Sequence, residues 1–377
     1  MKKRSDIFLC AVCLILSSVV GIITLLKPQS DFSHRENRVL TAFPKVTTES
    51  LANGEFSYGL GRFFEDQITL REYFTTVKAL SELALGRREN NGVIYGKDGY
   101  LILRPSYQSL SLFERNLESV REFCLDMDGR EIKTAVFFTP RGIDVLGEYL
   151  PVSYPSERED EVWELMRERL PYAISASAEI KELIADGEYA WYKTDHHWTP
   201  LGAYEGYKKI VTAFGDTPAD ISLFEKKILS GEFYGSVDSR SGNIFNSPDE
   251  LFVLDGIREG ELVVVNHDLG EVYGSLYFEE NLSVKDKYKV FMGGNFGHIS
   301  VCPDGETERQ TLLIIKDSFA NCVIPFLADN YNLEIYDLRY FEGRISEEIS
   351  EISPDKILIL YGIDTAATDG SLGRLGR

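Results

Sequence analysis

The sequence predicts an α/β fold: a parallel sheet covered by helices, interrupted by an antiparallel insertion and preceded by a transmembrane helix. Three observations carry this expectation. Short apolar runs of four to six residues alternate with amphipathic helices through most of the chain, the pattern of strands buried on both faces. Residues 221–300 break that rhythm, with many Gly, Ser, Asn and Asp and short alternating runs. The amino-terminal segment holds an apolar run of bilayer length.

Taken in order, Lys2, Lys3 and Arg4 precede Ile7–Leu26, a run of 20 residues without a charge. A helix of that length spans roughly 30 Å, and the basic flank favours a cytoplasmic amino terminus. This gives a cytoplasmic 1–6 and a membrane anchor at 7–26. The rival reading is a cleaved secretory signal, but the run ends LLKPQS, without a small-x-small cleavage site. Both readings export the rest of the chain. Residues 27–88 then form a stalk and a helical segment. Apolar residues recur at helical spacing from Phe56 to Leu85, with Asp66, Gln67 and Arg71 on the other face.

An α/β domain follows at 89–366. Asn90-Asn91-Gly92 marks a turn, and VIYGKDGYLIL reads as a hairpin. SLSLFERNLESVREFCLDMDG is an amphipathic helix, KTAVFFTP a buried strand, and EDEVWELMRERLPYAISASAEIKELI helical with a break at Pro171. LGAYEGYKKIVTAFG is a helix. After the insertion, TLLIIKDS, LEIYDLRY and KILILYG read as strands, with FANCVIPFLADNY a helix between the first two. ELVVVN, EVYGSLYF and YKVFMGG are the short runs of the insertion, an antiparallel element or small subdomain. Residues 367–377 read as a flexible tail.

Composition sets limits. The 377 residues hold 40 Lys and Arg against 60 Asp and Glu, a formal charge of −20, which excludes nucleic-acid backbones as the main partner. Five cysteines, without a Cys-x-x-Cys pair beyond the apolar run, exclude a disulfide scaffold and a structural zinc finger.

Chemistry concentrates in two stretches. KTDHHWTPLGAY places Asp195 and His197 two positions apart, with one residue between them, just before a helix that Pro200 can start. In an extended loop, residues two apart point the same way, so Asp195 can fix the tautomer of His197 and support its imidazolium. IIKDSFANC places Ser318 at the carboxyl end of a strand, where sites form in open α/β sheets. Backbone N–H groups at the following helix start can hold a developing oxyanion. Asp195, His197 and Ser318 make a triad on paper. Asp317 reads as a cap of the turn. His196 admits a metal reading together with Asp195 and His197, but no second cluster completes it, which leaves His196 as a substrate contact or support and the expectation of no metal and no cofactor. Trp198 can stack on a sugar or lock its loop. Arg141 can hold a substrate carboxylate or pair with an acidic neighbour.

The TDHHWTPLGAY and IIKDSFAN stretches resemble the DHHW protein family and the alginate O-acetyltransferase proteins of the AlgX and AlgJ type, which have SGNH-hydrolase-like folds. ENRVLTAFP, FFEDQITLRE, ENNGVIYGKDGYL, KYKVFMGGN and DLRYF extend the resemblance. It implies an SGNH-hydrolase-like domain and acetyl transfer to, or removal from, a sugar hydroxyl outside the cytoplasmic membrane. A cell-surface glycan is then the substrate and a membrane acyl-donor protein a partner. As in the alginate proteins, the Asp-x-His pair precedes the serine. Lys316-Asp317-Ser318 departs from the usual Gly-Asp-Ser. The common oxyanion donors lack a clear match, and by residue type Gly294 and Asn295 stand in for them, a plain turn being the alternative. A non-catalytic glycan-binding or assembly factor on the same fold is the second functional reading.

Overall fold

The computed structural model describes residues 2–375 except 34, 36, 37, 108, 153, 155–158, 257–261 and 305–307. The side chains of 2–5, where the expected basic cluster lies, and of 159 and 160 fall outside that description, as do residues 376 and 377 of the expected tail. The chain divides into two units, residues 1–91 with 239–245 and residues 92–238 with 246–377.

In the first unit, helix α1 (Lys2–Leu26) contains a 21-residue stretch, Asp6–Leu26, long and apolar enough to cross a membrane. Two further helices, Glu55–Gln67 and Arg71–Ala84, meet at Leu70, whose φ of 63° breaks the helical course. Asp66 and Gln67 are not on a solvated face as expected. Both are buried, because the amino-terminal segment folds back over them. Asp66 accepts from Arg38 Nη1 at 3.0 Å and Thr41 Oγ1 at 2.7 Å, and Gln67 Nε2 donates to Ser30 O at 2.7 Å.

The second unit is built on a seven-stranded sheet: β1 (Lys133–Thr139), β2 (Leu262–Asn266), β3 (Glu271–Tyr273), β4 (His298–Pro303), β5 (Thr311–Lys316), β6 (Asn332–Tyr336) and β7 (Lys356–Gly362). The order is β3-β2-β4-β6-β5-β7-β1. Strands β6, β5, β7 and β1 run parallel, and β4, β2 and β3 continue the sheet antiparallel. Alternate residues of each parallel strand enter opposite cores, as the pleat requires. Phe137, Ile314 and Leu358 join one core with helices α3 (Ser177–Ala185) and α4 (Pro200–Ala213). Val136, Ile315 and Ile359 join the other with α2 (Ser111–Gly129) and α5 (Ile345–Ile352). The fold is thus α/β with a mixed, mostly parallel sheet.

The 221–300 stretch is antiparallel, but it is not a separate subdomain. Phe224–Phe233 pairs with Asp249–Gly256, while the later part lends β2, β3 and the start of β4 to the central sheet. YKVFMGG forms a 3₁₀ turn, Lys287–Val290, followed by positive φ at Met292, Gly293 and Gly294, so it makes no strand. The helix expected over FANCVIPFLADNY is two short pieces, a 3₁₀ turn Ser318–Cys322 and an α turn Ile324–Leu327. The expected flexible tail is corrected as far as residue 375. Leu372 is fully buried against α2, and Arg374 Nη1 donates to the carbonyls of Leu338 and Phe341, both at 2.6 Å.

Candidate active site

The DHHW stretch is a narrow loop closed at its neck. Trp191 and Trp198 bridge antiparallel, Tyr192 N donates to His197 O at 3.3 Å, and Thr199 N donates to Ala190 O at 3.1 Å. Asp249 clamps the tip from the neighbouring hairpin. Its carboxylate accepts from Lys193 N at 2.8 Å and from Thr194 N at 2.7 Å. The loop ends where Pro200 opens α4 with Thr199 as the cap residue, so the helix fixes the direction in which His197 leaves it.

Within the loop, Asp195 Oδ1 accepts from His197 N at 3.0 Å and lies 2.6 Å from His197 Nδ1. Its other oxygen accepts from Ser236 N at 2.7 Å. Burial opposes the charge on Asp195, but the charges of His196 and His197 and these hydrogen bonds outweigh it and hold the carboxyl well below its ordinary range. An ionised partner places the proton on His197 Nδ1 and leaves Nε2 with a lone pair. That Nε2 is 2.9 Å from Ser318 Oγ. Tyr288 stacks on the His197 ring at 3.9 Å with planes 4° apart, and Phe319 meets its edge at 4.8 Å. The imidazole therefore has no free rotation about its ring axis without loss of contact on both sides.

Ser318 follows β5 by two residues. Asp317 caps the turn: Oδ1 accepts from Phe319 N at 3.0 Å and Oδ2 from Gly362 N at 2.9 Å, tying the turn to the end of β7. Trp198 Nε1 donates to Phe319 O at 3.1 Å, which joins the two halves of the site directly. The serine is half-buried, and its backbone N–H makes no hydrogen bond among the described residues. The outward-pointing helix amides expected here are partly used up, because Asp317 takes that of Phe319.

Lys316 does not crowd the serine. Its ammonium is turned beneath the turn, donating to Asn321 Oδ1 at 2.7 Å and Asn295 Oδ1 at 2.9 Å, with Asp337 3.7 Å away. Burial lowers its pKa to about 8 against the pull of Asp337. Asn321 Nδ2 reaches Gly294 O at 3.2 Å and Asn295 Oδ1 at 3.2 Å. Gly294 and Asn295 are therefore tied to the serine turn. Gly294 has a φ of 126°, open to glycine.

The remaining expected residues sort plainly. Trp198 is fully buried and locks the loop, so it is closed to a sugar. Arg141 is also buried and held by Asp144 through Nη2 at 2.6 Å and Nε at 2.9 Å, so its acidic neighbour has taken the place of a substrate carboxylate. His196 stays partly exposed, with Nδ1 2.5 Å from Ser236 Oγ and its ring centroid 3.8 Å from that of His197, the planes tilted by 38°. Asp195, His196 and His197 each present an atom within 4.8 Å of the others, but both ring nitrogens of His197 already have partners. Asp249, Tyr288, Asn321 and Gly235 were not legible from the chain, since each acts through a contact more than two dozen residues away or across a turn.

Fold and site define an SGNH-hydrolase-like α/β domain with an Asp-x-His loop facing a serine at the carboxyl end of the sheet. The profile of the DHHW protein family matches residues 174–337, and that of the SGNH hydrolase-like domain, acetyltransferase AlgX, matches residues 93–235. Over these stretches, each less than half of its length, the chain is similar to the DHHW family and to the AlgX-type SGNH hydrolase-like domain. Among solved structures, a DHHW family protein from Eubacterium siraeum aligns with a TM-score of 0.63 at 21% identity, covering 76% of this chain and 95% of that one. Bacillus cereus PatB1 aligns at 0.61 and 18%, covering 73% and 97%. The probable alginate O-acetylase AlgJ of Pseudomonas putida is 24% identical over 174 residues, 44% of this chain. The chain spans 44% of that relative's length.

Proposed function

We propose that the protein is a membrane-anchored, extracytoplasmic O-acetyltransferase or acetylesterase acting on a cell-surface or exported polysaccharide. The observation that carries this reading is the contact chain Asp195–His197–Ser318, at 2.6 and 2.9 Å. In this reading His197 Nε2 takes the Ser318 proton as Oγ bonds to the acetyl carbonyl carbon. The tetrahedral oxyanion is held by the Ser318 N–H and by Asn295, whose Oδ1 faces Lys316 and Asn321 and whose Nδ2 makes no hydrogen bond among the described residues. Gly294 gives close backbone approach beside it. The imidazolium returns the proton to the leaving alkoxide, and the acyl-enzyme passes its acetyl group to a sugar hydroxyl or to water. His196, exposed at the rim, contacts the sugar.

The distant relation to probable alginate O-acetylases supports a glycan as substrate, and a membrane acyl-donor protein as its acetyl source. The apolar α1 supports the anchor, with a cytoplasmic amino terminus. The test is hydrolysis of an activated aryl acetate by the full chain in detergent. Ser318→Ala should lower turnover at least about 1,000-fold, and Asp195→Asn by a comparable factor. Equal turnover by parent and Ser318→Ala would falsify the reading and favour a glycan-binding role without chemistry.

A further inference from the structure

A second cluster of chemically able side chains lies on the antiparallel part of the sheet. Cross-strand register pairs His298 with Tyr336 and Ser300 with Glu334 between β4 and β6. Residues two apart on a strand share a face, so His298 and Ser300 stand over Glu334 and Tyr336. His267 follows β2 directly, and its N–H donates to His298 O at 3.1 Å. This brings a third strand end to the same patch. The rings of His267, His298 and Tyr336 form a column, stacked at 3.9 Å and 4.3 Å with interplanar angles of 8° and 15°.

One imidazole meets the Glu334 carboxylate directly and the other reaches it through the Ser300 hydroxyl. His298 Nε2 is 2.7 Å from Glu334 Oε2, Ser300 Oγ donates to that same oxygen at 2.6 Å, and His267 Nε2 is 2.7 Å from Ser300 Oγ. One ligand atom from each of His267, His298 and Glu334 lies within 4.8 Å of the others. An ion pair with Glu334 accounts for one imidazole. It does not reach the second, His267, whose Nε2 is held by Ser300 Oγ, itself bonded to the same carboxylate. A single divalent ion serves both rings and the carboxylate together.

We propose that His267, His298 and Glu334 form a zinc site, with Ser300 or water completing the coordination. Two imidazole nitrogens and one carboxylate oxygen are the donor set of an open tetrahedral Zn²⁺ centre. Tetrahedral bonds of roughly 2.0–2.1 Å bring donors to about 3.4 Å from one another. The step from 4.8 Å is a side-chain rotation, easiest at the exposed His267. Each imidazole would bind through a nitrogen lone pair and keep its ring proton on the other nitrogen. The site is separate from the Asp195–His197–Ser318 chain and does not depend on its role.

The experiment is calorimetric titration of the full, tag-free chain in detergent with ZnCl₂, alongside thermal unfolding with and without the metal. The parent should take up one Zn²⁺ through this site and rise in Tm. Exposed His267→Ala and near-isosteric Glu334→Gln should each weaken binding by about 10- to 100-fold, without lowering the metal-free Tm of His267→Ala. His196→Ala should bind as the parent does. Absence of zinc uptake by the parent, or undiminished uptake in both His267→Ala and Glu334→Gln, overturns the proposal. Loss of uptake in His196→Ala alone also overturns it, and assigns the metal to the DHHW loop instead.

Discussion

At the carboxyl end of β5 a lysine is held out of water immediately before a serine turn. Only 1% of Lys316 is exposed, and its three donors face two amides and a carboxylate. The cost of that burial appears as a pKa lowered to about 8 from the ordinary 10.5. Folded Lys316 gives up its proton near pH 8, whereas the unfolded chain keeps it until about 10.5, so the unfolded state binds more protons in that window. The contribution to stability is complete above pH 10.5 and is lost as pH falls through 8. Urea unfolding of the parent relative to Lys316→Met should therefore show a difference that grows in the parent's favour from pH 8 to 10.5. A flat difference would show that Lys316 keeps its charge when folded. Asp195, His197 and Ser318 were legible as residues because their types and local spacing carry the chemistry. Lys316 reads from the chain as an obstacle. Its direction depends on Asn321 and Asn295, and no local pattern reports where a long side chain turns.

At the scale of elements, the DHHW loop is positioned by close backbone approach. A β-carbon at Gly235 would stand 2.3 Å from Asp195 Cβ, and one at Gly202 would stand 2.4 Å from Ala190 O. Neither site has room for a side chain. Gly235→Ala must push Asp195 away from His197, and displacement of about 1 Å costs about 100-fold in rate, with about 1–3 kcal/mol of stability lost to overpacking. Aryl-acetate turnover and unfolding on the same sample separate the two effects. Retained turnover would show that the loop yields elsewhere. Strands were legible as elements because four to six apolar residues between breakers have few alternatives. The helix after Ser318 was misread because FANCVIPFL is apolar apart from Asn321. Its periodicity does not distinguish a long helix from two turns that meet at Val323, the second opened by Pro325 and the first capped by Asp317.

Across the whole molecule, the larger unit is an acidic α/β unit and the amino-terminal unit carries the one described helix fit to span a bilayer. If α1 anchors the protein, the full chain stays with membranes through a carbonate wash at high pH, and a chain lacking Ile7–Leu26 is released. Release of the full chain by carbonate would instead mark α1 as a removable signal. The sheet shows why the insertion was harder to read than the parallel strands around it. Antiparallel strands of three to six residues, β3, β2 and β4, alternate weakly and can pair with each other or with an existing sheet edge. Both pairings satisfy the same local pattern. The stretch does both, and β4 thereby places His298 and Ser300 over Glu334.

By itself the sequence determined an acidic α/β protein with an apolar amino-terminal helix, and it named the imidazole, carboxylate and hydroxyl proposed to act together. Those properties are local: charge balance, a run of 20 residues without a charge, strand length, and two residues two positions apart. Only the tertiary structure decided that His197 meets Ser318 across 121 positions, that Trp198 and Arg141 are interior supports, and that the carboxyl-terminal tail is packed. Each of these depends on which distant surfaces bury one another. That is a collective outcome of hydrophobic burial and hydrogen-bond satisfaction, and a linear pattern does not encode it residue by residue.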